Sequence, residues 1–306
     1  MDRATGKVMA VCISKKKGTV KEDIGVCNMI TDFGLEGDAH AGSERQVSLL
    51  SYEKVEAFKK EIKDAVSIRP GAFGENLLIS GIDPATLHIG AYLQIGEVLL
   101  RVMQIGKTCH SGCEISKITG KCIMPSEGVF ARVIKGGEVK VTDEVRTPLT
   151  AAVITSSDRS YAGEREDKSG PEIEKMLKES GYAVTERVLI PDEEDEAVKE
   201  LTRLTDVSGV DIILTTGGTG FSVRDRMPEA ALKVADRNVP GIAEAIRAYS
   251  MTITKRAMLS RAVSVIRGGT LIINLPGSPK AVKECLEYIL PELEHGILIL
   301  RGEADG

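Results

Sequence analysis

Aromatic side chains and clustered positive charge are scarce in this 306-residue sequence. It has no tryptophan, six tyrosines and five phenylalanines, and its formal net charge is −5. Proteins that hold single-stranded nucleic acid use basic grooves with stacking aromatic side chains, so we expect no nucleic-acid partner. No apolar run approaches the roughly 18 residues that a membrane-spanning helix needs, so we expect no membrane contact either.

The sequence also lacks a signal-peptide core and a disulfide framework. Residues 1–7 contain no apolar core of a secretory signal. Six cysteines are spread unevenly over the chain, which is typical of reduced thiols rather than of a small disulfide-bonded scaffold. These features predict a cytoplasmic protein, and its length predicts two domains that each bury a core.

Short β-like runs punctuated by glycine dominate the first half of the chain. They include residues 7–13, 77–79 and 98–103, and one helix is expected near residues 52–62. Frequent short strands with turns between them predict a β-rich, barrel-like domain. We place this domain at residues 1–146, because a charged segment with a proline follows there.

Three cysteines and one histidine lie close together in this half, namely Cys109, His110, Cys113 and Cys122. Zinc is one interpretation, but zinc sites are usually built from paired ligand spacings, and no second pair follows. Reactive thiol chemistry is the better functional interpretation, because lysines nearby in sequence, such as Lys107, favour the thiolate. Ordinary buried thiols remain the alternative.

The first half resembles a MOSC domain, the module related to the C-terminal part of molybdenum cofactor sulfurases. The resemblance covers roughly residues 5–145 and is carried by GLEGDAH at 34–40, RPGAFGENL at 69–77 and the cysteine that follows residues 102–105. It implies a β-barrel cleft that binds the molybdenum cofactor, with a cysteine acting in sulfur transfer or cofactor contact. Cys109 matches that role best, and Cys113 and Cys122 are additional thiols.

Strands and helices alternate in the second half, which we place at residues 147–306. Strands are expected at residues 151–155, 184–190, 211–215, 263–266 and 271–275, with amphipathic helices between most of them. This alternation predicts an open, mostly parallel sheet with helices on both faces, which is a three-layer α/β domain.

Unusual polar residues follow four of these strands. They are residues 156–159 after the first, residues 191–194 after the second, the glycine loop 215–220 with Asp225 after the third, and residues 274–279 after the last. Ligands bind open α/β sheets at the carboxyl ends of the strands, and a glycine loop before a helix favours anions. Asp192 and Asp225 are candidates to share the Mg²⁺ of a nucleotide. The pattern therefore predicts a phosphate-ligand site suited to phosphoryl or nucleotidyl transfer.

The second half closely resembles the molybdopterin adenylyltransferases, a family that includes MogA, MoaB and the gephyrin G domain. The resemblance is carried by TTGGTG at 215–220, RD at 224–225 with PEA at 228–230, LIPD at 189–192 and NLPGSP at 274–279. It implies that the terminal phosphate of molybdopterin attacks the α-phosphate of ATP. The products would be adenylylated molybdopterin and pyrophosphate.

The same resemblance implies the residue roles. It makes Asp192 and Asp225 the catalytic carboxylates and Mg²⁺ ligands. The binding positions that it implies are Ser156, Asp158, Thr216, Gly217, Gly218, Thr219, Gly220, Glu229, Asn274, Pro276, Gly277 and Ser278. By analogy we expect a homo-oligomer, a trimer or hexamer, that uses ATP and molybdopterin and meets a molybdenum-insertion enzyme or a molybdoenzyme as partner.

One departure from the family pattern keeps other functions open. Where the family has Arg-Asp-Val-Thr-Pro-Glu-Ala, this chain has Arg226 and Met227 in place of Val-Thr. A hydroxyl is lost and a cation is added beside Asp225. The leading hypothesis is adenylyl transfer. The alternatives are a non-catalytic carrier of molybdopterin or its cofactor, and a molybdate-insertion enzyme on the same fold.

Overall fold

The chain folds into two compact units, each with its own apolar core. The computed structural model describes residues 5–61, 68–108 and 121–304. The N-terminal unit is Met1–Pro148 and the C-terminal unit is Leu149–Gly306. Among the described helices, none is both long and apolar enough to cross a bilayer.

The N-terminal unit is built mainly from short strands. They are β1 (Thr5–Ile13), β2 (Glu22–Asp23), β3 (Val26–Ile30), β4 (Gly34–Leu35), β5 (Val47–Ser51), β6 (Leu77–Ser80), β7 (Tyr92–Ile95), β8 (Val98–Ile105), β9 (Val129–Lys135), β10 (Gly137–Lys140) and β11 (Glu144–Arg146). Its described helices are α1 (Tyr52–Glu61), α2 (Met124–Glu127) and a 3₁₀ turn at Pro84–Thr86.

Seven of these strands close into a barrel, which confirms the predicted β-rich, barrel-like class. Their order is β11-β7-β8-β9-β5-β6-β1, and a β11–β1 pairing closes the ring. Side chains alternate across a strand, so Val8 and Ala10 of β1 are buried while Lys7 and Met9 are exposed. Strand β10 pairs with β3, and β3 with β4, in a separate small sheet.

The C-terminal unit alternates strands and helices. Its strands are β12 (Thr150–Ser156), β13 (Ala183–Ile190), β14 (Ile212–Thr216), β15 (Arg237–Asn238), β16 (Ser264–Arg267) and β17 (Thr270–Leu275). Its helices are α3 (Asp158–Tyr161), α4 (Ser169–Glu179), α5 (Glu194–Thr202), α6 (Met227–Val234), α7 (Pro240–Ile253) and α8 (Pro279–Leu300), with a π-helical turn at Arg203–Ser208 and a 3₁₀ turn at Lys255–Leu259.

These strands form one mostly parallel sheet of order β13-β12-β14-β17-β16-β15, as predicted. Successive residues of β14 face opposite sides of the sheet. Leu214 joins the core formed with α4, α7 and α8, whereas Ile213 joins the core formed with α5 and α6. The three-layer architecture follows from this two-sided burial, because both faces of the sheet need a helical cover.

Helix α8 extends further than the sequence pattern indicates. The pattern predicts a helix over residues 279–290, whereas the structure carries it through Pro291 to Leu300. A proline inside a helix removes a backbone donor and disfavours the preceding turn. Leu293 and Ile297 beyond it are 4% and 0% exposed. Their burial in the apolar core stabilises the last turns despite the proline.

A buried polar contact joins the ends of the two central strands. The Asn274 side chain donates from Nδ2 to Thr215 Oγ1 at 2.9 Å, and its Oδ1 accepts from the Val263 backbone N–H at 3.3 Å. Both Asn274 and Thr215 are completely buried. Asn274 therefore holds strand ends together at the edge where the site lies.

We expect Thr215→Val to lower the free energy of unfolding by about 1–3 kcal/mol, because it keeps the shape of the side chain but leaves a buried amide N–H without its acceptor. Urea denaturation followed by circular dichroism measures this loss. Thr252→Val, on an exposed position of α7, is the control and should stay within about 0.5 kcal/mol of the parent. Equal stability of the two variants would contradict the assignment.

Candidate functional site

The four parallel strands of the C-terminal unit end at the same level, so the loops that follow them meet at one edge. Ser156 is in register with Ile190, Thr155 with Thr216, and Thr216 with Leu275. The predicted site residues lie on or beside these loops. The sheet therefore brings together the segments that the sequence singles out.

Asp192 is tied to the loop that follows β12. Its carboxylate accepts from Ser156 Oγ at 2.6 Å and from the Asp158 backbone N–H at 3.0 Å. In return, the Asp192 backbone N–H donates to Asp158 Oδ1 at 2.9 Å. These bonds fix the side chains of Asp158 and Asp192 relative to each other.

Arg224 reaches across from the loop after β14. It donates from Nε and Nη2 to the two carboxylate oxygens of Asp158 at 3.0 and 2.8 Å, and from Nη1 to Glu193 Oε1 at 2.6 Å. The guanidinium of Arg224 holds the pKa of Asp158 below its ordinary value. The edge therefore carries several carboxylates around one arginine.

The glycine loop passes very close to the neighbouring strand end. Gly217 has φ +93°, and a Cβ built on it would lie 2.1 Å from the carbonyl oxygen of Ser156. A Cβ on Gly277 would lie 3.5 Å from the Gly217 Cα. Only glycine satisfies both the left-handed backbone and the close approach at position 217.

Two cavities flank this glycine contact. The larger, of about 640 Å³, we call the serine cavity, and it is lined by Thr155, Ser156, Ser157, Arg165, Glu166, Asp167, Lys168, Ser169, Thr216, Gly217, Gly277, Ser278 and Pro279. The smaller, of about 440 Å³, we call the arginine cavity because Arg247 and Arg256 line it. Gly217 and Gly277 belong to both linings.

The predicted binding residues divide between these two cavities. The arginine cavity is also lined by Gly218, Thr219, Gly220, Asp225 and Pro276. Ser278 lines the serine cavity and caps α8, because its Oγ accepts from the Ala281 N–H at 3.2 Å. That helix N-terminus adds a favourable dipole for an anion.

The other predicted residues lie outside both linings. Asp158 and Asp192 are held in the network of the loops after β12 and β13, and Asn274 is buried between strand ends. Glu229 forms an ion pair with Arg261, whose guanidinium also donates to the Asp225 backbone carbonyl. Glu229 is thus linked to the Asp225 loop through an arginine.

Sequence reasoning missed part of the serine cavity. Arg165 and Lys168 lie between α3 and α4, and Ser169 is the first residue of α4, so none of them directly follows a strand. Ser169 Oγ donates to the Gly277 carbonyl at 2.9 Å. The available signal was the charged, glycine-containing run before Pro171. Its arrival at the sheet edge depends on the packing of α4.

The two residues that depart from the family pattern have partners other than the Asp225 carboxylate. Arg226 pairs with Glu194 of α5 at 3.2 Å. Met227 is 2% exposed, lies in the core with α5 and α6, and donates its backbone N–H to the Gly218 carbonyl at 3.2 Å. The added cation thus has a carboxylate partner of its own.

The carboxylates at this edge fit a cation that arrives with phosphate groups. In the described part of the chain, no group of three or more His, Cys, Asp or Glu side chains is arranged to hold a metal ion. Mg²⁺ is usually bound by one or two carboxylates together with substrate phosphates and water. Asp192 and Asp225 supply such donors, although Asp225 Oδ2 already accepts from the Ser222 N–H at 2.8 Å.

The N-terminal unit has a smaller cavity of about 150 Å³, which we call the cationic cavity. Arg45 and Lys107 both lie by the ring of Phe130, with Arg45 Cζ at 5.1 Å and Lys107 Nζ at 5.8 Å from its centroid. Its described lining is Gly18, Thr19, His40, Arg45, Ser48, Phe73, Gly74, Lys107, Cys122, Met124 and Phe130, with no acidic residue among them.

Buried charges support one wall of the cationic cavity. The Asp38 carboxylate accepts from Lys21 Nζ at 2.6 Å and from the His40 backbone N–H at 2.9 Å. Burial would raise the pKa of Asp38, but its contacts with His40 and Lys21 outweigh burial and hold this pKa well below its ordinary value. Burial also raises the pKa of Glu75 to about 7. Asp38 therefore orients the loop that carries His40.

The thiol that the sequence favours is not among the residues that the structure describes. Cys109 and Cys113 lie outside the described ranges. Cys122 is described, and it lines the cationic cavity. The assignment of Cys109 therefore stays a prediction, and Cys122 is the described thiol in the cavity of Arg45 and Lys107.

Comparisons with known proteins match the two units separately. Residues 36–146 match the MOSC domain, and residues 152–295 match the family described as "Probable molybdopterin binding domain". A molybdopterin adenylyltransferase of Haemophilus influenzae is 44% identical over 143 residues, which is 46% of this chain and 73% of that protein.

Two further proteins of molybdenum cofactor synthesis are similar to this chain. A molybdopterin adenylyltransferase of Helicobacter pylori is 39% identical over 152 residues, 49% of this chain and 86% of that protein. The Drosophila melanogaster molybdenum cofactor synthesis protein cinnamon is 39% identical over 154 residues, 50% of this chain and 26% of that protein.

Gly217→Ala tests the close approach between the two cavities. We expect a loss of about 1–3 kcal/mol in the free energy of unfolding, because the new Cβ meets the Ser156 carbonyl in a strained backbone region. Gly296→Ala is the matched control, since α8 has open space at that position, and it should be neutral or stabilising by up to about 1 kcal/mol. Urea denaturation compares them. Wild-type stability of Gly217→Ala would contradict the geometry.

Proposed function

The chain belongs to the molybdopterin adenylyltransferase family, and from this premise we propose that its C-terminal unit transfers the adenylyl group of ATP to molybdopterin. The chain acts in molybdenum cofactor biosynthesis. In the proposed reaction the terminal phosphate oxygen of molybdopterin forms a bond to the α-phosphorus of ATP. The bond from that phosphorus to the oxygen that bridges it to the β-phosphate breaks, and pyrophosphate leaves with the electron pair.

The observation that carries this proposal is the pair of cavities that share Gly217 and Gly277. A reaction between two substrates needs two adjoining pockets whose ligands meet at the reacting atoms. Asp225 lines one of them next to the glycine loop. The absence of a Cβ at Gly217 lets phosphate groups approach the backbone closely.

The polar groups of the edge have distinct tasks in this proposal. The N–H groups of residues 217–220 and the start of α8 bind phosphate oxygens, and Ser156, Thr216 and Ser278 contribute hydroxyl groups. Asp192 and Asp225 would hold the Mg²⁺ that accompanies ATP, and that ion would neutralise charge on the phosphates. Asp158 and Glu229 keep the loops of Asp192 and Asp225 in place through the contacts described above.

Arg226 and Met227 are compatible with turnover. Because Arg226 pairs with Glu194 and Met227 packs in the core, neither displaces the Asp225 carboxylate from the arginine cavity. This favours an enzyme over the alternative carrier protein. A molybdate-insertion enzyme on the same fold would use the same edge but give a different product.

We also propose that the N-terminal unit binds the anionic end of the molybdenum cofactor in its cationic cavity, or transfers sulfur through Cys109. Within the described residues, neither Arg45 nor Lys107 forms an ion pair with a carboxylate. A cavity of about 150 Å³ is smaller than the usual range for a whole ligand of pterin size. It suits an end group such as a phosphate.

The proposed cytoplasmic location rests on the sequence features given above. The proposed trimer or hexamer, and the molybdenum-insertion enzyme or molybdoenzyme as partner, rest on family resemblance. Covalent linkage of the two units would raise the effective concentration of the product of one site at the other.

Adenylyl transfer is tested with Mg²⁺, ATP and molybdopterin by following pyrophosphate and adenylylated pterin. We expect product from the wild type and a loss of at least about a hundredfold in rate for Asp225→Ala, because a charge-stabilising group is removed. Asp195→Ala, on a 95% exposed side chain of α5, is the control and should retain the wild-type rate. Tight pterin binding without product would instead identify a carrier, and formation of a molybdenum-loaded pterin from molybdate would identify an insertion enzyme.

The cationic cavity is tested by equilibrium binding of the molybdenum cofactor and, separately, of inorganic phosphate. We expect Arg45→Gln and Lys107→Gln each to weaken cofactor binding by about tenfold, because each removes a charge-assisted contact to the anion. Lys140→Gln, at an exposed lysine of β10, should have no effect. Unchanged affinity in both cavity variants would exclude this cavity as the binding site.

A further inference from the structure

Arg224 connects three loops of the C-terminal unit through one guanidinium. It lies on the loop after β14, and its partners Asp158 and Glu193 lie on the segments after β12 and β13. Nε, Nη1 and Nη2 each donate to a carboxylate oxygen.

The contact with Asp158 continues to Asp192. Asp158 Oδ1 accepts both from Arg224 Nη2 at 2.8 Å and from the Asp192 backbone N–H at 2.9 Å. Asp192 Oδ2 accepts in turn from the Asp158 backbone N–H at 3.0 Å. A change in the Asp158 carboxylate therefore alters the backbone and the side chain of Asp192 together.

The geometry differs from that of an ordinary surface ion pair. Exposed pairs contribute little when two flexible side chains touch at one atom. Arg224 instead engages Asp158 with two N–H···O bonds to its two carboxylate oxygens, an arrangement that adds directional specificity. A lysine keeps the positive charge but lacks this planar fork.

Arg224 can have either of two tasks at this edge. A direct contact with a substrate phosphate would use the second N–H of Nη1 or Nη2, because the bonds to Asp158 and Glu193 engage three of the five guanidinium N–H groups. A structural task needs only the bonds to the carboxylates, which orient their loops. The two tasks predict different kinetics.

We propose that Arg224 is a positioning residue, which acts through Asp158 to hold the Asp192 loop in the arrangement needed for adenylyl transfer. This inference rests on the proposed function of the C-terminal unit. It adds a residue that orients the site without touching the reacting atoms.

The kinetic test uses Arg224→Lys, Asp158→Asn and the double variant. The amide that replaces the Asp158 carboxylate can still accept from the Asp192 N–H, but it presents an NH₂ group to Arg224. Asp158→Asn therefore disrupts the two-bond contact with Arg224 and leaves the bond from the Asp192 N–H in place. We expect each single variant to lower kcat by about tenfold with the KM for ATP within about twofold, because a misplaced group costs rate more than binding. The double variant should be no slower than the slower single variant.

Glu193→Gln is the matched control, since it changes the other partner of Arg224 and leaves the Asp158–Asp192 bonds intact. Its kcat should stay within about twofold of wild type. If Arg224 instead binds substrate phosphate, the KM for ATP rises in Arg224→Lys and the losses in the double variant multiply. Either of those results overturns the proposal.

A measurement without substrate tests whether Arg224 supports the Asp192 loop. Amide hydrogen exchange at Asp192, followed by NMR on the full chain, should accelerate by about tenfold in Arg224→Lys, because the acceptor of that N–H loses its support. The rate should stay unchanged in Glu193→Gln. Equal protection of the Asp192 amide in wild type and Arg224→Lys overturns the positioning role, even if the wild type shows no adenylyl transfer.

Discussion

The contact of Gly217 with the end of β12 is the constraint on which the C-terminal site depends. A Cβ there would lie 2.1 Å from the Ser156 carbonyl oxygen, and Gly277 also lies close to Gly217. The two cavities adjoin at these two residues, which have no side chains to fill the space between them. A parallel sheet makes this possible, since its strands end in register and deliver four loops to one edge.

The carboxylates at that edge have defined hydrogen-bond and ion-pair partners. Asp158, Asp192 and Glu193 are held by hydrogen bonds and by Arg224, while Arg226 is paired separately with Glu194. Carboxylates that face a polyphosphate would repel it in isolation. In the proposed reaction, the Mg²⁺ that accompanies ATP would offset this repulsion.

The N-terminal unit presents a different electrostatic pattern. Its cavity joins Arg45 and Lys107 beside the Phe130 ring with no acidic residue in the described lining. The buried Lys21–Asp38 pair supports the loop of His40 in its wall. One chain thus combines an edge at which carboxylates and arginines lie together with a cavity whose described lining carries cations and no acidic residue. Both patterns agree with a chain that acts in molybdenum cofactor biosynthesis.

The class of both units and most of the loops of the site follow from local patterns in the sequence. Apolar runs and glycine motifs are local signals, so β12, β13, β14 and β17 and the loops after them were predictable. Strand β9 was missed, because Arg132 interrupts its apolar pattern. Other contacts depend on tertiary packing: Arg224 binds Asp158, Arg226 pairs with Glu194, and Arg165 and Lys168 reach the serine cavity. These contacts join residues far apart in the chain, and their geometry is set by how helices pack on the sheet.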